Sequence, residues 1–107
     1  MANATRISDW AYGPFVGKYT GTTAALNVHI GFKPSLIFAV DWTDGTIFWF
    51  WTKDDITKVT KIDTAAATVS TAVTQVDDGT TLGFGLPAAD AVTNINGKVF
   101  YFIAFPE

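Results

Sequence analysis

The chain has 107 residues and a formal net charge of −3; it is 49% apolar, 15% aromatic and only 16% charged. This length sets one domain able to bury its own core, and the acidic, charge-poor balance excludes the basic footprint of a nucleic-acid binder. With no cysteine, disulfide frameworks, cysteine-based zinc sites and thiol nucleophiles are excluded together.

Residues 1–14, MANATRISDWAYGP, are polar and turn-rich and predict an N-terminal arm; they lack the apolar core of a signal peptide. Trp10, Tyr12 and Phe15 are spaced so that the arm can dock through its aromatics. The single domain is predicted over residues 15–107. Its first strand runs from Phe15 to Thr20, after the Gly13-Pro14 break, and Gly21-Thr22-Thr23 is a turn. Leu26, Val28 and Ile30 alternate with Asn27 and His29, the pattern of a half-buried strand.

The stretch Ser35 to Lys53, SLIFAVDWTDGTIFWFWTK, is the centre of the prediction. Gly31-Phe32-Lys33-Pro34 leads into it, and Pro34 bars a helix from entering. Two apolar runs flank Asp41-Trp42-Thr43-Asp44-Gly45, and Asp44-Gly45 between β-forming runs predicts a hairpin. Ile47, Trp49 and Trp51 share one face of the second run, with Phe48 and Phe50 on the other. Being apolar on both faces, the hairpin needs cover on both. One cover is a second sheet, and the other is a neighbouring subunit or larger surface.

Beyond Lys53, Ile56 to Ile62 predicts a strand from its β-branched content. The small-residue tract Thr64 to Val76 is assigned as one further strand, its threonines and valines outweighing its alanines. Asp77-Asp78-Gly79 is a turn, Thr80 to Leu86 a short strand, and Pro87 to Asn96 a loop closed by the Asn96-Gly97 tight-turn signal. Lys98 to Phe105 is a final strand, apolar on both faces. About eight antiparallel strands and no helix predict an all-β fold, a compact sandwich or barrel.

Three phrases carry a resemblance: Gly17-Lys18-Tyr19-Thr20-Gly21; Val28 to Ile37, with Gly31-Phe32-Lys33-Pro34 at its centre; and Thr81-Leu82-Gly83-Phe84 followed by Asn94 to Phe105. In that order they resemble a β-sandwich module of tailed-bacteriophage virion proteins, over almost all of residues 15–105. The resemblance implies a structural or adhesive role in a virion assembled in the host cytoplasm, with no catalytic residues and no cofactor to carry over. Its leading form is a head-decoration protein that cements the capsid. The partners implied are further copies of the chain, in a trimer matching the local symmetry of an icosahedral shell, and the major capsid protein. Neither nucleic acid nor membrane is expected as a partner.

The rival form is a module at a tail or fibre tip that binds a host surface glycan. In either form Trp10, Tyr12, Trp42, Trp49 and Trp51 are the candidates for contact, because tryptophan and tyrosine concentrate at interaction hot spots. For Trp49 and Trp51, burial in the core competes with that role. Trp42, beside the turn, is the candidate for exposure.

Signals for chemistry are weak by comparison. His29 alone would have to supply any metal cluster or general base, and its place on a polar register favours a structural hydrogen bond. Asp41 with Asp44, or Asp54 with Asp55, could pair for glycoside hydrolysis, but aspartates are also turn residues. Asp77-Asp78-Gly79 lacks the ligand spacing of a calcium loop. The expectation is therefore a protein that is not an enzyme and holds no metal.

Overall fold

A computed structural model describes residues 5–6, 13–45, 47–55, 59–62, 67–70 and 73–107. The described residues form ten strands. They are β1 (Thr5–Arg6), β2 (Phe15–Thr20), β3 (Leu26–His29), β4 (Pro34–Asp41), β5 (Phe48–Thr52), β6 (Val59–Ile62), β7 (Ala67–Ser70), β8 (Thr74–Asp77), β9 (Leu82–Leu86) and β10 (Val99–Pro106). A single 3-10 turn, Lys53–Asp55, follows β5. Seven strands make one antiparallel sheet in the order β1-β2-β10-β4-β5-β6-β7, and three make the other in the order β3-β9-β8. The fold is all-β, two sheets packed as a sandwich.

The last strand lies at the centre of the larger sheet. β10 pairs with β2 from Val99↔Thr20 to Ala104↔Phe15, and on its other side with β4 from Phe100↔Asp41 through Phe105↔Leu36. A strand apolar on both faces suits this position, with a neighbour on each edge and the core beneath it. The predicted hairpin is β4 and β5, in register from Leu36↔Thr52 to Val40↔Phe48. At its tip Asp41 N donates to the Ile47 carbonyl and Gly45 N to the Asp41 carbonyl. Gly45 has φ +69°, a conformation that a side chain would disfavour.

The core fills the space between the sheets. From the larger sheet come Phe15, Tyr19, Ile37, Trp49, Trp51, Phe100 and Phe102; from the smaller come Leu26, Val28, Phe84 and Leu86. Phe84 is the aromatic link between layers, edge-on to Phe102 at 5.4 Å and to Tyr19 at 6.5 Å. Tyr19 stacks on Phe100 at 5.2 Å. Phe32 packs against the margin of the same core. Trp49 and Trp51, at 0% and 1% exposure, each withdraw roughly 150–250 Å² from water, about 4–6 kcal/mol apiece as an upper bound.

One prediction requires correction. The tract Thr64 to Val76 is not one strand: β7 ends the larger sheet, and β8 pairs with β9 in the smaller one. The chain changes sheets between Ser70 and Thr74 without a glycine, proline, asparagine or aspartate to mark the break. Within the predicted arm, Thr5–Arg6 pairs with Lys18 and Gly17 as an edge strand of the larger sheet. Trp10 and Tyr12 lie outside the described residues.

Candidate interaction face

Strand pairing fixes which side chains share the outer face of the larger sheet. One cross-strand row is Val16–Ile103–Phe38–Phe50, and the next is Lys18–Tyr101–Val40–Phe48. Leu36 and Phe105 continue the face toward the far end of β10. These residues alternate with the buried inner set, as the two-residue period of a strand requires. Apart from Lys18 they are all apolar or aromatic, yet they stay partly accessible to water, and Phe48 is 37% exposed. No described element packs over them. An apolar surface this continuous is what marks an interaction site on a soluble domain.

The face is not flat. A depression of about 280 Å³ lies among Val16, Phe38, Val40, Tyr101 and Ile103, with Phe48 on its border. Phe38 touches both Phe48 and Phe50, with ring centroids 5.8 Å apart in each case. At one margin Trp42, 67% exposed, tilts against Tyr101 at 5.0 Å. The Lys18 ammonium lies 5.9 Å from the Tyr101 centroid, within cation–π range.

Trp42 is held out by its turn. The Asp41 carboxylate is buried, and its Oδ1 accepts from the amides of Thr43 and Asp44 at 3.0 and 3.2 Å. Trp42 N donates to the Val99 carbonyl, and Val99 N donates to Thr43 Oγ1. Lys98 Nζ meets Asp44 Oδ2 at 2.8 Å, and this hydrogen bond holds the Lys98 ammonium above its usual range. The tip of the β4–β5 hairpin is thereby fastened to the start of β10. Asn96-Gly97 makes the turn that delivers that strand: Gly97 has φ +80°, and Lys98 N donates to the Ile95 carbonyl at 3.0 Å.

Of the residues predicted to make contacts that lie among the described residues, Trp42 stands on this surface. Trp49 and Trp51 do not: they face inward, where the smaller sheet covers them. Both faces of β5 are apolar, so composition left its parity open, and the larger indoles went inside. Sequence reasoning passed over Phe38, Val40, Phe48, Phe50, Tyr101 and Ile103 as contacts. Their signal was the period-two set left over once one face was assigned to the core.

The polar candidates serve the fold. His29 Nδ1 accepts from Leu82 N at 3.0 Å. Gly31 N donates to the Leu82 carbonyl at 2.9 Å, and the Pro34 carbonyl accepts from Gln75 Nε2 at 2.8 Å, joining the two sheets. Asp41 and Asp44 are both spent on the hairpin turn. Asp78 Oδ1 accepts from the amides of Thr81 and Thr80 at 2.8 and 3.1 Å, and these bonds hold its carboxyl below the ordinary range. Tyr19 donates to the Thr93 carbonyl at 2.6 Å, while burial pushes its hydroxyl well above the phenol range. The buried Trp49 indole N–H, which makes no hydrogen bond, opposes that shift in part. Among the described residues no group of three or more metal-ligating side chains occurs.

No protein-family model matches the chain, and neither curated proteins nor solved structures yield a match.

Proposed function

We propose that the protein is a structural component of a tailed-phage virion, a decoration protein that cements the head shell. The observation that carries the reading is the outer face of the larger sheet, apolar over four adjacent strands and ending in an exposed tryptophan. A cementing protein works by surface burial. Each copy withdraws apolar area against its neighbours, and a force that expands the shell must then break many such contacts together. The order of the motifs shared with phage β-sandwich modules supports this reading. So does the low charge of the chain, which suits a subunit that spends its working life in contact.

Co-sedimentation with capsids stripped of the protein tests the function. A decoration protein saturates them at a fixed copy number and raises their resistance to heat. A protein that leaves them bare, at any concentration, is not one.

The tail-tip, glycan-binding reading has one observation in its favour: Trp42 over Tyr101, with Asp44 and Lys98 close by, is an exposed aromatic step with polar groups beside it. Against it, the depression on the face is lined by apolar side chains, whereas a sugar site needs fixed hydrogen-bonding groups to orient its ligand. Retention on host polysaccharide, lost on Trp42→Ala, would favour the glycan.

A further inference from the structure

The relief of the outer face identifies one occupant for it. We infer that the face is covered by a second copy of this chain, stacked sheet to sheet about a two-fold axis. The inference rests on reading this face as an assembly surface. The axis runs along the strands between β10 and β4.

Such an axis lays β2 of one copy over β5 of the other, and β10 over β4. In the first row, Val16 then meets the partner's Phe50 and Ile103 meets the partner's Phe38. In the second, Tyr101 meets the partner's Val40 and Lys18 meets the partner's Phe48. Each apposition sets a ring against a smaller or more flexible side chain. The alternation follows from the observed registers Val16↔Ile103↔Phe38↔Phe50 and Lys18↔Tyr101↔Val40↔Phe48. A two-fold contact requires such self-complementarity.

Charge agrees with this occupant. Lys18 is the charged member of the two rows, and the axis moves it away from its own twin and onto a ring, a favourable cation–π position. No carboxylate in those rows selects a basic partner. Aligned sheets pack about 10 Å apart at roughly −30°, close enough for these rows to interlock.

Sedimentation velocity over about 1–300 µM tests the inference. The expected result is a shift from 11.5 kDa to twice that mass. Phe48→Glu should weaken the association at least ~10-fold, while Thr74→Glu on the smaller sheet leaves it unchanged. Because Phe48 points away from the core, circular dichroism should show Phe48→Glu folded.

A second readout uses the absence of native cysteine. Chains carrying Val40→Cys, mixed with chains carrying Tyr101→Cys, should be cross-linked by a short bis-methanethiosulfonate reagent, which spans sheets about 10 Å apart where a direct disulfide does not; Val40→Cys mixed with Thr74→Cys should not. A chain monomeric throughout the range, or a dimer indifferent to Phe48→Glu with no Val40–Tyr101 cross-link, overturns the inference. A monomer that still saturates stripped capsids overturns it while leaving the proposed function standing. A dimer that ignores capsids does the reverse.

Discussion

Phe48 and Trp49 are neighbours in the chain and stand on opposite sides of the larger sheet, Phe48 37% exposed and Trp49 fully buried. This parity divides β5 into a buried side and a partly exposed side, and mutations on the two sides should behave differently. Trp49→Ala or Trp51→Ala should destabilise the folded monomer by about 3–5 kcal/mol. Phe48→Ala should change it by less than about 1 kcal/mol. Urea unfolding of dilute protein measures both; equal losses would place Phe48 in the core as well.

Tyr19 reports the interior. Its folded-state hydroxyl is raised well above the unfolded value, chiefly by burial. The stabilisation is therefore complete below the ordinary phenol value near 10 and is lost as the pH climbs above it. In an alkaline titration followed by tyrosinate absorbance, Tyr19 should ionise only as the protein unfolds. Tyr19→Phe abolishes that delayed phase. It also leaves the Thr93 carbonyl without its 2.6 Å donor, lowering stability by about 1–3 kcal/mol.

The Asp78 turn responds in the opposite direction. Hydrogen bonds from Thr81 and Thr80 lower its folded-state carboxyl. Its contribution is present above the ordinary carboxylate value near 4 and fades as the pH falls through the lowered value. Acidification should therefore lower the protection factors at Thr80 and Thr81, measured against the intrinsic exchange rate at each pH. Asp78→Asn, which keeps an acceptor oxygen, should remove most of that pH dependence; an unchanged profile would assign it to another group.

Two motif glycines are fixed by close backbone approach. A Cβ on Gly21 would run into the Ile95 backbone, and one on Gly83 into the Val28 carbonyl. Neither neighbour is a side chain that can swing aside, so Gly21→Ala and Gly83→Ala should each cost several kcal/mol or prevent folding. Gly13 meets nothing within 4 Å, and Gly13→Ala should carry only the strain of its positive φ. Thermal melts of the three variants rank them.

Much of this fold was legible because its turns carry chemistry. Asp44-Gly45, Asp78-Gly79 and Asn96-Gly97 mark chain reversals that the structure contains, and alternation around Leu26 and Val28 located β3. The switch of sheets between β7 and β8 was illegible, since alanine, threonine and valine there signal neither a turn nor a face. The interaction face was half legible. Excess apolar residues in β4, β5 and β10 required a second cover, but with both faces apolar, sequence could not tell which set lay inside. Tryptophan, the obvious marker of an interface, proved to mark the core at positions 49 and 51.

If the proposed function holds, the outer face of the larger sheet is buried in the working assembly. Hydroxyl-radical footprinting of Trp42, Phe48 and Tyr101 tests it most directly, comparing assembled protein with the dispersed Phe48→Glu monomer, in which Trp42 and Tyr101 serve as the common reporters. Tyr101 and Trp42 should oxidise several-fold more slowly in the assembly, with labelling on the smaller sheet unchanged. Equal oxidation of Tyr101 and Trp42 in both states would contradict it.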